Sequence, residues 1–198
     1  MATNDVLMVT GNCISFAKHA ALSPTAANVI EHGTPTDVEL DLTGVLATEA
    51  RESAKFDFGQ ATASWAGEWS ITSCFEVASG AAADGEVVEL WMGYSQSATA
   101  GTGNPGGLSG TDADYTGTGQ SALTPSLKQL TFIGAHVCTL DDTLNTPQVQ
   151  IASCGTFQPK ARYGCLVVVN KMTGAFHTDV IETNIVFSPI IPQVQAAV

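Results

Sequence analysis

The sequence predicts an all-β fold, an antiparallel β-sandwich of jelly-roll kind with one long Gly/Ser/Thr-rich loop and little helix. Three observations predict it: apolar side chains recur with a period of two along short segments, Gly, Pro, Asn and Asp cluster between those segments, and helix signals are few. Six to nine such strands point to two packed sheets rather than to alternating β-α units.

Taken in order, Val38, Leu40 and Leu42 alternate with Asp37, Glu39 and Asp41, which reads as a strand with one wet face. Thr48–Lys55 (TEARESAK) carries the best helix signal, with Thr48 as cap and Arg51 spaced to pair with Glu49 or Glu52. In Glu68–Val77 the side chains of Trp69, Ile71, Phe75 and Val77 fall on one face, and Ser70, Thr72, Cys74 and Glu76 on the other. Strands are also expected at Glu86–Tyr94, where Trp91 reads as a core residue like Trp69, at Leu130–Thr139 and at Val180–Phe187. Val149 and Ile151 alternate with Gln148 and Gln150 in another half-buried strand. Tyr163–Asn170 (YGCLVVVN) is a continuous apolar run, as a central strand buried on both faces requires. Turn chemistry separates them at Gly80–Gly85, Thr143–Pro147 and Lys171–Gly174.

Ser95–Ala122 breaks the pattern, being nearly all Gly, Ser, Thr, Ala and Asp with one Pro and one aromatic, Tyr115. Strands of one style flank it, so residues 1–198 read as a single sandwich with a long loop excursion at 95–122. With so little apolar surface to offset its ordering entropy, this loop is expected to be ordered by contact with another subunit. Asn104, Pro105, Leu108 and Tyr115 are its candidate partner contacts.

At 198 residues the chain can bury a substantial core without staples. Only 13% of it is charged, yet the formal net charge is -12, a field that repels phosphate backbones and anionic lipid heads and so argues against nucleic acid or membrane as partners. The cysteines, Cys13, Cys74, Cys138, Cys154 and Cys165, are odd in number and irregularly spaced, without a C-x-x-C pair, and read as buried free thiols. The first ten residues lack the features of a secretory signal, and no run of ~18 apolar residues spans a bilayer, so synthesis and folding in a reducing cytoplasm are expected.

Candidate chemistry is sparse. Gly101, Gly103 and Gly106 spell G-x-G-x-x-G, but Pro105, Gly107 and Gly110 leave no helix to receive a pyrophosphate. Gly93–Ser97 approaches a nucleophile elbow without its last Gly or the helix that follows. Asp112 and Asp114, with Thr111 and Thr116, could offer oxygens to calcium but lack the sharp-turn Gly and bidentate Glu of a known loop. Of His19, His32, His136 and His177 none has ligand spacing; His136 shares a strand face with Cys138, and a packed, hydrogen-bonded histidine is the simpler reading. Asp141-Asp142 sits in a turn where solvated acids are usual. No catalytic residue, metal or cofactor is expected.

Several groups taken together resemble a family of small structural proteins of tailed bacteriophages. They are Val88-Glu89-Leu90-Trp91, the Gly-rich stretch from Ser97 to Gly107, Leu127-Lys128-Gln129-Leu130, Phe132-Ile133-Gly134, Arg162-Tyr163-Gly164, Leu166 to Asn170, Ala175-Phe176-His177, Val186-Phe187 and Pro189-Ile190. The match covers about half the chain, from Glu86 to Pro192. The resemblance implies a non-enzymatic virion protein on the outer head surface, a decoration or cement protein bound to the major capsid protein and assembled as a homo-oligomer, most simply a trimer. A tail or baseplate component, or a carbohydrate-binding sandwich, is the alternative. The latter needs exposed aromatics, and with Trp69 and Trp91 assigned to the core only Trp65 remains.

Overall fold

The computed structural model describes residues 6–10, 12–59, 67–118, 123–139 and 147–194. Two six-stranded sheets carry the fold. In the first, the order is β10 (Gln148–Phe157), β6 (Glu68–Val77), β12 (Asn184–Val194), β2 (Ile14–Ala17), β3 (Thr36–Glu39), with β1 (Val6–Thr10) also paired to β12. In the second, the order is β8 (Ala113–Asp114), β4 (Ala50–Glu52), β11 (Tyr163–Asn170), β7 (Val87–Ser95), β9 (Thr131–Val137), with β5 (Phe56–Asp57) also on β11. Every pairing is antiparallel except β2 with β3.

Eight of these strands, β2, β4, β6, β7, β9, β10, β11 and β12, follow one winding rule. Counted along the chain, the first sheet reads first, eighth, third, sixth, and the second reads second, seventh, fourth, fifth. Two Greek keys wound this way are a jelly roll. Among these eight strands, the one pair consecutive in the chain and adjacent in a sheet is β7 and β9, and the long segment between them supplies β8 at the far edge of the same sheet.

The core lies between the inner faces. Phe16, Ile71, Phe75, Ile185 and Phe187 from one sheet meet Leu90, Met92, Leu166 and Val168 from the other, all fully buried. Rings interlock edge to face, Phe16 on Phe187 at 4.7 Å, Phe157 on Phe187 at 4.9 Å and Phe58 on Trp69 at 5.6 Å. Each such buried phenylalanine contributes about 2–3 kcal/mol. Strand β11 is buried on both sides: Leu166 and Val168 face this core, whereas Cys165, Val167 and Val169 enter a second cluster outside the sheet.

Four expectations need correction. Residues 48–55 form no helix: Thr48 adopts a left-handed backbone (φ 67°), β4 follows, and Arg51 pairs with Asp112 and Asp114 instead of Glu49 or Glu52. In β10 the inward residue is Gln150, while Ile151 is 47% exposed. The Gln150 amide accepts from the Thr139 N–H and donates to the Thr139 carbonyl, so its burial is compensated, and a bulge at Ser153/Gly155 then returns Phe157 to the core. Trp91 is not a core residue, because Val88, Leu90 and Met92 set the inner face of β7 and Trp91 has the other parity. The last strand begins at Asn184, after a turn over residues 180–183, and runs on to Val194.

Candidate functional site

The outer face of the second sheet gathers the residues that sequence reading singled out. Its β4–β11 half is covered by the excursion between β7 and β9, described at residues 96–118 and 123–130. Leu108 and Tyr115 from the excursion, and Leu127 and Leu130 from the one-turn helix α1 (Leu123–Leu127) and the turn behind it, pack on Ala50, Cys165, Val167 and Val169.

Polar clamps fix the rest of the excursion. The Lys55 ammonium donates to the carbonyls of Ser97 (3.1 Å), Thr99 (2.7 Å) and Thr102 (2.8 Å) and to Ser95 Oγ (3.2 Å). The Glu52 carboxylate, 2% exposed, accepts the Ser109 N–H at 2.9 Å, and burial pushes its carboxyl up. Arg51 donates to Asp112 at 2.9 Å and to Asp114 at 2.8 Å, which occupies the two acids considered for calcium. Among the described residues, no three His, Cys, Asp or Glu side chains converge as a metal site. The described part of the loop is thus held by contacts within its own chain, where the sequence reading looks to a second subunit.

The four candidate partner contacts also turn inward. Leu108 and Tyr115 are buried, and the Tyr115 hydroxyl donates to the Gly106 carbonyl at 2.6 Å, with burial pushing the phenol up to about 12. The Asn104 amide donates to the carbonyls of Ala100 (2.6 Å) and Leu108 (3.0 Å), and half-buried Pro105 lies near the backbone of Gly93. These residues hold the loop shut and offer a partner little surface. Gly103 and Gly106 take positive φ in its turns, and no helix follows them. Ser95, the would-be elbow nucleophile, is buried against Lys55 and the Thr102 carbonyl.

Beyond the excursion the outer face is partly open, with Trp91 half-buried against the outer cluster. Trp91 and Phe132 stand opposite each other on β7 and β9, their rings 5.2 Å apart edge to face, and the indole N–H donates to Glu89 at 3.1 Å. Phe132 is 51% exposed and Val137, on the same strand, 58%. At the opposite edge of the sheet, a cavity of about 300 Å³ is lined by Thr48, Glu49, Ala50, Asp114, Tyr115 and Leu123, among others.

The remaining chemical side chains are built into the fold. His136 is 1% exposed between the sheets, 2.7 Å from Ser73 Oγ, which also lies 3.0 Å from the Cys154 sulfur; burial pushes the imidazole below its ordinary value and keeps it neutral. Cys138, just past the end of β9, is also buried, but Ser73 is the partner of His136. With both members sealed from solvent, this serine–histidine contact fastens the sheets. His19 binds the carbonyls of Ser15 and Val38, and His32 binds Ser188 Oγ at 2.6 Å. His177 lies 3.3 Å from Glu76. All five cysteines are free and buried; burial pushes Cys74 and Cys165 up to about 12 and Cys138 to about 11. Trp65 and Asp141-Asp142 lie outside the described residues.

No protein-family model matches the chain, and no curated protein matches it in sequence. The outer-face Trp91–Phe132 pair and the clamps Glu52 and Lys55 went unread in the sequence. For Trp91 a signal existed, since Glu89 shares its parity in β7 and marks that face as wet. For Glu52 and Lys55 there was none, because their partners lie some forty to sixty residues away.

Proposed function

We propose that the protein is a non-enzymatic structural component of a tailed-phage particle, a decoration or cement protein that binds the outside of the head and bridges neighbouring subunits of the major capsid protein. The observation that carries this reading is the use of reactive side chains as structural ties on a jelly roll. Ser73, His136, Ser95, Glu52 and Lys55 each secure a strand or the long loop, which makes a rigid relief suited to docking. Jelly rolls are a recurrent architecture of viral shells, and the family resemblance points the same way. A body of charge -12 suits an outer position better than one against packed DNA.

Binding to the assembled shell and not to its free parts stabilises the shell by mass action, by ~2.7 kcal/mol per site at a hundredfold excess over the dissociation constant. Several modest contacts on one oligomer sum to tight attachment. Decorated heads should therefore survive heat and osmotic shock that stripped heads do not, with the protein imaged on the head exterior. Equal survival removes the cement role, and density on the tail moves the protein to a tail or baseplate role.

The Trp91–Phe132 pair beside Glu89, with Phe132 exposed and Trp91 half-buried, favours a second reading, a carbohydrate-binding module, since an exposed ring next to a carboxylate can stack on and hydrogen-bond a sugar. A glycan that quenches tryptophan fluorescence in the wild type and not in Trp91→Ala would establish it.

A further inference from the structure

The two edges of the second sheet carry opposite characters. At the β9 edge lies the apolar strip of Trp91, Phe132 and Val137. Of the seven cationic residues, Lys18 pairs with Asp41, Arg51 with Asp112 and Asp114, Arg162 with Asp57, and Lys55 is spent on carbonyls. The remaining three, Lys128, Lys160 and Lys171, form no salt bridge among the described residues, and all three flank this strip. Lys128 stands three residues before β9, Lys160 donates to Thr131 Oγ1 at its first residue, and the Lys171 N–H donates to the Val87 carbonyl beside its far end. On this side three lysines stand against two acids of β7 and its approach, Glu86 and Glu89. At the β8 edge the balance reverses: Glu49 and Asp114 line the cavity, Asp112 and Asp114 share the one guanidinium of Arg51, and Leu46, in the turn that leads to Glu49, is 55% exposed.

We infer that copies of this chain join head to tail, the Trp91–Phe132–Val137 strip of one seating on the Leu46/Glu49/Asp114 edge of the next. Strip against strip would bring lysine rims together, and acid edge against acid edge would do the same with carboxylates; only the unlike pairing joins opposite charges around apolar centres. A contact between two different patches is heterologous, and it closes into a ring of a few copies when the rotation per copy allows. The inference deepens the proposed function by naming the surface through which copies join, and rests on that reading for the expectation of an oligomer.

The purified full chain should sediment as one discrete species several chains in mass. Phe132→Asp and Leu46→Asp each place a carboxylate at a residue more than half exposed, so both variants should melt with the wild type, yet each should be monomeric, with at least a tenfold weaker self-association. Mixed, they should form a one-to-one dimer, because each retains the edge the other has lost. Val137→Asp should behave as Phe132→Asp does. A monomeric wild type overturns the inference, as does a Leu46→Asp protein of wild-type mass or a mixture that stays monomeric. A correct mixing result with no binding to phage heads would instead remove the proposed function and leave this interface standing.

Discussion

A Cβ placed on Gly134 would stand 2.1 Å from the carbonyl oxygen of Cys154. The two residues belong to β9 and β10, edge strands of opposite sheets, so this is where the sandwich closes along one side. Nothing but hydrogen fits, and backbone cannot give way as a flexible side chain would. Gly134→Ala should cost at least about 2 kcal/mol of stability, read as a lower denaturant midpoint. An unchanged midpoint would show that the sheets do not meet there.

Lys55 gives the second prediction. Replacing it with methionine keeps the stem and removes the ammonium from three carbonyls and a hydroxyl, at a cost of roughly 2–3 kcal/mol concentrated in the loop. Limited proteolysis of Lys55→Met should cut first at residues 97–103, where the wild type is protected. Equal protection in both proteins would assign the ordering of the loop to something else.

Thr48 provides the third. A β-branched residue at φ 67° is strained, and the conformation is imposed by the Thr48 N–H donating to the Asn170 carbonyl and the Glu49 N–H to the Leu46 carbonyl. Glycine removes the steric cost of about 1–2 kcal/mol and adds back part of it as chain entropy. Thr48→Gly should thus be more stable by about 0.5–1 kcal/mol in thermal unfolding, and a lower melting temperature would count against strain at this turn.

The fourth concerns pH. Burial lowers the folded-state pKa of His136 below its unfolded value, so the unfolded chain binds the proton more readily, and stability present above about pH 6.5 is lost as pH falls through the interval between the two values. Glu52 and Glu76, pushed up by burial, act in the opposite sense nearer the carboxylate range, where protonation favours the fold. His136→Gln, which does not titrate, isolates the histidine: the stability advantage of the wild type over this variant should shrink as pH is lowered from 7 to about 5. Parallel profiles would mean that the imidazole takes up its proton without strain.

The fold class was legible because the first half of Glu68–Val77 alternates and residues 165–169 are an unbroken apolar run, which two-sided burial demands. The misreadings share one cause: a local pattern was outvoted by a distant partner. Residues 48–55 have helical propensity, but Arg51 reaches Asp112 and Asp114 across the sheet and Ala50 fills the outer cluster. Ile151 yields the core to Gln150 because the Thr139 backbone satisfies the amide, a contact invisible in either segment alone. The excursion looked too polar to order itself because its ordering groups, Glu52 and Lys55, belong to another part of the chain.

The pairing of β2 with β12, Ile14 opposite Phe187 and Ala17 opposite Asn184, sets a timetable. During synthesis β2 leaves the ribosome roughly 170 residues ahead of its partner, a wait on the order of ten seconds or more at usual elongation rates. Strand β12 is also the neighbour of β6 and β1, so until it arrives the first sheet is three separate pieces with bare apolar flanks. Partial chains therefore have no stable halfway form. A chain ending before Asn184 lacks the one strand that joins these pieces, so the first sheet closes only when synthesis is nearly complete.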